Sequence, residues 1–204
     1  MPTKPNREYR AMPVMLPSDT KRLDSAFYVE GYATTFNDPY VLWEWDGRKF
    51  TEEIDRNALL GADMSDVIMQ YDHGGRVLAR QSNNTLGIEP NERGLFTFAD
   101  LSKSSAAKDM YEDISAGLVT RMSWAFTVAE DEIDEKQYRR IIRKIRKVYD
   151  VSAVSIPANP GTDISARAWC DGVIAKELQE LQQRQQDLEL AKAKYFYFFG
   201  GNNK

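Results

Sequence analysis

VIMQYDHGGRVLARQSNNTLGIEPNERGLFTFAD, residues 67–100, is the stretch whose reading decides the fold. Four short strand-like runs, Val67 to Tyr71, Arg76 to Arg80, Thr85 to Glu89 and Gly94 to Asp100, follow one another with Gly, Asn and Pro between them. This spacing predicts a meander or barrel rather than alternating strand and helix units. Upstream, FYVEGYATTF at 27–36 and YVLWEW at 40–45 flank the turn residues Asn37-Asp38-Pro39 and read as a hairpin. After Asp46-Gly47 a short polar and helical piece is expected, ending in DRNALL at 55–60 with Asp55 as its cap. The first twenty residues read as a loose arm.

Downstream the period changes. Between Ser102 and Ala116, the residues Ala106, Ala107, Met110, Tyr111 and Ile114 recur at helical spacing, with Ser102 or Ser104 as N-cap and Gly117 past the last turn. Arg121 to Glu130 and Gln137 to Ile156 read as two long strands joined through the acidic cluster Glu130, Asp131, Glu132, Asp134 and Glu135. In the second strand a strict period of two puts Ile141, Arg143, Ile145, Lys147, Tyr149, Val151 and Ala153 on one face, so the basic residues of this run divide between both faces of a solvated outer strand. Val173 to Tyr197 reads as a helix with Ile174, Leu178, Leu181, Gln185, Leu188, Lys192 and Tyr195 along one seam. The expected organisation is an α+β domain over 21–171, a loose arm over 1–20, and a C-terminal helix and tail over 172–204.

The chain has 204 residues, 27 basic and 31 acidic, a balance that does not favour a nucleic-acid partner. Tyr195 to Phe199, the longest uncharged apolar run, is far too short for a membrane span, and no apolar stretch follows the basic N-terminus, so an intracellular protein without membrane association is expected. One cysteine, Cys170, and one histidine, His73, exclude a disulfide framework, a Cys/His zinc cluster and an HExxH site. No cofactor or metal is expected.

A chain with one histidine has one candidate for a histidine general base. His73 follows an apolar strand and precedes Gly74-Gly75, which lets backbone approach closely; it reads either as a site residue or as a loop or core histidine. Ser123 is the only polar residue in Met122 to Phe126, at the start of a strand, and reads as a nucleophile awaiting a histidine or as a serine bonded to local backbone. Asp150 stands among apolar strand residues and reads as the acid that orients the histidine or as a salt-bridge partner of Arg146, Lys147 or another neighbour on the sheet. Ser105-Ala-Ala-Lys108 and Ser18-Asp-Thr-Lys21 fit S-x-x-K but lack the motifs that accompany it; Cys170 beside Trp169 reads as core. No G-x-S-x-G elbow, P-loop or G-x-G-x-x-G is present.

Taken in order, Val29-Glu30-Gly31-Tyr32-Ala33 with Phe36-Asn37, Glu53-Ile54 with Ala58-Leu59, His73 with Val77-Leu78-Ala79-Arg80, Gly94-Leu95, Gly117-Leu118 with Met122-Ser123-Trp124-Ala125-Phe126, and Asp150 to Pro160 resemble the prohead (capsid maturation) protease family of tailed bacteriophages over roughly residues 27 to 165. The resemblance implies a serine endopeptidase that digests scaffold and capsid precursor inside the procapsid, in the host cytoplasm. It also implies a fold related to herpesvirus assemblins, a closed β-barrel surrounded by helices. Carried onto this chain, the family roles put the base at His73, the nucleophile at Ser123 and the acid at Asp150, where the family more usually has Glu. Trp124 and Ala125 stand where smaller residues commonly follow the nucleophile, and there is no second histidine for the third place. Arg121, two residues before Ser123, is a helper candidate for the oxyanion. The implied partners are the major capsid protein precursor and scaffold, with self-association through the C-terminal helix. The rival expectation is a catalytically silent capsid-interior scaffolding or assembly module that keeps the protease-like fold.

Overall fold

The computed structural model describes residues 7–13, 21–154 and 164–199. In chain order the strands are β1 (Glu8–Pro13), β2 (Tyr28–Thr35), β3 (Tyr40–Trp45), β4 (Arg48–Ile54), β5 (Ile68–Tyr71), β6 (Val77–Arg80), β7 (Leu86–Pro90), β8 (Gly94–Asp100), β9 (Arg121–Asp134) and β10 (Arg139–Val154); the helices are α1 (Ser105–Ser115) and α2 (Ile164–Phe199). The four runs of the deciding stretch are all strands. They form two antiparallel hairpins, β5 with β6 and β7 with β8, which go to different sheets. Between them the chain makes one 3₁₀ turn, Gln81–Asn83, and Asn84 in the left-handed region at φ 60° redirects it.

One sheet runs β1-β9-β10-β4-β3, with β5 also on β10 and β6 on β5; the other runs β2-β8-β7. β9 covers one edge of β10 along its length, while the other edge is shared by two parallel partners, β4 at Arg139–Ile142 and β5 at Asp150–Ala153. The α+β, strand-rich architecture is as expected, but neither sheet closes on itself among the described residues, so the expected closed barrel is not seen there. The core lies between them: Val29, Ala33, Leu95 and Ala99 from the smaller sheet, Trp124, Phe126, Val148 and Val151 from the larger, and Ala107, Met110 and Ile114 from α1. α1 follows its sequence pattern, with the Ser104 hydroxyl accepting from the Ala107 N–H at 3.1 Å and Gly117 at φ 72° just beyond its end.

Three expectations change. The hairpin of 27–36 with 40–45 does not form: β2 pairs with β8, and β3 pairs with β4, the segment expected to be a polar, partly helical piece. Asp46 and Gly47, at φ 49° and 73°, supply the consecutive left-handed residues of a two-residue hairpin turn, and the polar β4 buries Phe50, Glu52 and Ile54. Residues 8–13 of the expected loose arm form β1 on β9, with Arg10 buried between Glu8 and Glu52 at 2.7 and 2.5 Å. Finally, register shifts between Ile142 and Lys144, Lys144 and Ile145, Ile145 and Lys147, and Val148 and Asp150 break the period of two in β10. The inward residues are therefore Arg140, Ile142, Ile145 and Val148 rather than a single odd-numbered face.

Three cations of β10 pair with the acidic end of β9: Arg143 with Glu132 at 2.5 Å, Lys144 with Glu130 at 2.5 Å and Arg140 with Asp131 at 2.6 Å. The helical unit from Ala168 onward continues α2, which crosses the boundary expected between 171 and 172. Leu178, Leu181 and Leu188 on it are exposed, and no described helix is long and apolar enough to cross a membrane. Tyr195 to Phe199 end this helix but their side chains, like that of Cys170, lie outside the described residues, as do Ser155 to Pro160 of the motif after β10.

Candidate active site

β9 and β10 run antiparallel with Ser123 opposite Ser152 and Ala125 opposite Asp150. Directly opposed residues point to the same side of a sheet, and alternate residues to opposite sides. Ser123, Ala125, Asp150 and Ser152 therefore share one face, while Met122, Trp124, Val151 and Ala153 enter the core on the other. β1 extends the polar face, with Ala11 opposite Ser123 and Tyr9 opposite Ala125. The bulky Trp124 that follows Ser123 is thus fully buried on the core side, stacked on Phe126 at 4.1 Å, and does not crowd the face that carries the hydroxyl.

His73 reaches this face from the turn between β5 and β6. β5 lies parallel to the end of β10, and the Asp72 N–H donates to the Ala153 carbonyl at 3.0 Å, so the turn starts tied to β10. Asp72 and His73 both take left-handed backbone, at φ 47° and 55°. Two consecutive non-glycine residues there are held against their intrinsic preference. Gly75 completes the turn: its N–H donates to the Tyr71 carbonyl at 2.8 Å, and a Cβ on it would come within 2.7 Å of that same oxygen. Only glycine allows that approach, as the glycine pair suggests in the sequence.

The result is a buried pair. His73 Nδ1 lies 2.5 Å from Asp150 Oδ1, with the two side chains 4% and 2% exposed. A carboxylate oxygen only accepts, so Nδ1 carries a proton, and in the neutral ring Nε2 then presents a lone pair. The Tyr9 ring meets the imidazole edge-on, centroids 4.6 Å apart. Ser152 ties both partners: its hydroxyl donates to Asp150 Oδ1 at 2.9 Å and accepts from the His73 backbone N–H at 3.3 Å. The sequence reading does not name Ser152 or Tyr9; the signal available for Ser152 is its two-residue offset from Asp150, which puts both on one strand face. Of the alternative partners weighed for Asp150, Lys147 is engaged elsewhere, pairing with Asp63 at 2.6 Å.

Ser123 shares the face but not the pair. It is fully buried, and among the described residues neither its Oγ nor His73 Nε2 has a hydrogen-bond partner. Buried polar atoms are nearly always satisfied, so two orphans on one face, a hydroxyl that can donate and a ring nitrogen that can accept, mark a place where stability is given up. Trp124 Nε1 is a further orphan in this stretch, on the core side. Arg121 is exposed at the start of β9, two residues from Ser123 and on its face by alternation.

A family model described as caudovirus prohead serine protease matches residues 16–183. Among curated proteins, the chain is 29% identical over 145 residues to the prohead protease of Enterobacteria phage HK97. The match covers 71% of this chain and 61% of that relative, so the chain spans about three-fifths of the length of the curated relative it matches. No solved structure matches.

Proposed function

Since the chain belongs to the caudovirus prohead serine protease family, we propose that it is an endopeptidase of procapsid maturation whose nucleophile is Ser123, whose general base is His73 and whose orienting acid is Asp150. The observation that carries this reading is the His73–Asp150 pair at 2.5 Å, with Nε2 unpartnered among the described residues on the face that holds the equally unpartnered Ser123 Oγ. Nε2 takes the Ser123 proton as Oγ attacks a peptide carbonyl carbon, and the carbonyl oxygen becomes an oxyanion that backbone N–H groups, assisted by Arg121, stabilise. Collapse breaks the C–N bond as the imidazolium returns its proton to the amine. Water, deprotonated by the same nitrogen, then hydrolyses the acyl-serine and restores the hydroxyl. Asp150 holds the tautomer and stabilises the imidazolium; being shorter than Glu, it is reached because the left-handed turn carries His73 down onto β10.

The substrates in this reading are scaffold and the major capsid protein precursor, within the procapsid in the host cytoplasm, and no metal or cofactor takes part. Self-association through α2, whose exposed Leu178, Leu181 and Leu188 form an apolar seam, belongs to the same proposal. A second reading, a catalytically silent interior module, is favoured by one observation: Ser123 is fully buried, so a peptide carbonyl reaches it only after neighbouring groups move. Cleavage of a scaffold-containing capsid precursor by the full chain, and its loss in Ser123→Ala, separates the two. Equal cleavage by both proteins overturns Ser123 as nucleophile, and cleavage by neither under assembly conditions favours the silent module.

A further inference from the structure

We infer that Ser152 is a positioning residue of this site, acting through His73 and Asp150 rather than on substrate; the inference rests on the relay proposed above. Its single hydroxyl joins the two halves of the pair. It accepts the backbone N–H of His73 at 3.3 Å and donates to Asp150 Oδ1 at 2.9 Å, the same oxygen that receives His73 Nδ1–H at 2.5 Å. It is fully buried, so no water can take over either bond without rearrangement.

Both bonds restrain something the relay needs. His73 sits at φ 55° in a turn where Asp72 is also left-handed, and a strained conformation persists only where surrounding contacts over-determine it. The Ser152 acceptor is the contact that holds the His73 N–H itself. Asp150, with only one methylene, presents Oδ1 in a single place, and the Ser152 donor fixes that oxygen under Nδ1. Ser152 also lies directly opposite Ser123 across the ladder, so the spacing between hydroxyl nucleophile and imidazole is set by the same pair of residues. A serine that merely filled space in a strand would need neither bond.

The test uses the full-length chain and the fact that His73 is its only histidine, so every imidazole NMR signal belongs to the site. In a Ser123→Ala background, which prevents cleavage during the measurement, a protected low-field Nδ1–H resonance is expected with Ser152 present. Ser152→Ala should lose that resonance to solvent exchange, and Ser152→Thr should restore it. With Ser123 intact, Ser152→Ala should lower kcat by about 10²-fold at unchanged KM, the scale of a misplaced catalytic group. Ser152→Cys keeps a side chain of similar size with only a weak donor, and should behave as Ala does in both readouts even if Thr is too large to fold. An unchanged Nδ1–H resonance in Ser152→Ala or Ser152→Cys, or a loss confined to KM, overturns the inference. Should Ser123→Ala still cleave, the nucleophile assignment fails, while the Nδ1–H signal still decides the role of Ser152.

Discussion

The two ends of the β9–β10 ribbon bury polar groups in opposite ways. At the end formed by Glu130–Asp134 and Arg139–Lys144, charge meets charge. Arg140 contacts Glu8, Glu52 and Asp131 at 2.7, 2.9 and 2.6 Å, and Arg10 contacts Glu8 and Glu52. The Tyr40 hydroxyl adds a bond to Glu52 at 2.5 Å. Among the described residues Arg139 Nε lacks an acceptor there, on a guanidinium already paired with Glu53. At the other end, His73 Nε2 and Ser123 Oγ are buried with no bonding partner among the described residues. A saturated network ties strands together; an unsaturated pair costs stability and is kept where it can act on a bound group.

Electrostatics hold the charged end together. Burial pushes the Tyr40 hydroxyl up, and the neighbouring Glu52 charge pushes it further, well above the usual range. Burial alone would raise Glu8, but hydrogen bonds and charge from Arg140 and Arg10 outweigh it and hold its carboxyl below the ordinary value. Arg10 is likewise held protonated by Glu52 against the cost of its burial. Glu8 and Arg10 are therefore held charged by their partners, while Tyr40 is held neutral.

The contrast breaks most visibly at Ser123. Ser123→Ala should reduce kcat by about 10⁶-fold, the scale seen when a serine nucleophile is removed. At the same time it deletes an unsatisfied buried hydroxyl, so the thermal midpoint should hold or rise. A variant that loses stability instead would place Ser123 among the structural groups. Next in size, Asp150→Asn should lower kcat by about 10⁴-fold with the fold intact, because the amide no longer selects the Nδ1–H tautomer. Single-turnover cleavage measures this, and full activity in Asn would reduce the site to a Ser-His dyad.

At the charged end the order of effects reverses. Arg140→Met leaves Glu8 and Glu52 short of a cation in a buried site and should cost about 3–5 kcal/mol of stability by urea unfolding. Cleavage per folded molecule should change little, and a collapse of activity without loss of stability would tie the network to the site. The smallest expected effect is that of acid. Glu8, lowered from its ordinary 4.5, binds fewer protons folded than unfolded near that value. Its contribution is complete above about pH 4.5 and is lost as pH falls from there through the lowered folded value. Stability curves of the wild type and Glu8→Gln should converge over that acid range; parallel curves would remove Glu8 from the linkage.

Much of this was legible before any coordinates. β8 has the bounds its sequence suggests, α1 has its N-cap at Ser104, and the local pattern is enough because both depend on neighbours within one element. Partnering was not legible. Asp46-Gly47 closes a hairpin whose second strand looks polar, since β4 spends its polar residues on a buried ion network instead of on solvent. β1 looked like an arm because the partners of Glu8 lie as far away as Arg140, a separation of 132 residues.

For the site, sequence by itself determined the cast: one histidine, a lone hydroxyl in an apolar strand start, an acid at the end of a basic run, and a glycine pair permitting a tight turn. It also determined the order of segments that marks the family. Only the tertiary structure decided that β10 divides one edge between β4 and β5, which brings the β5–β6 turn over Asp150. It alone decided that Ser152 bridges that pair and that Trp124 points away from Ser123. The physical reason is that side-chain identity and local period are properties of neighbouring residues, whereas register, bulges and strand partners are settled by contacts between residues far apart in the chain, where burial and charge pairing select among alternatives of equal local merit.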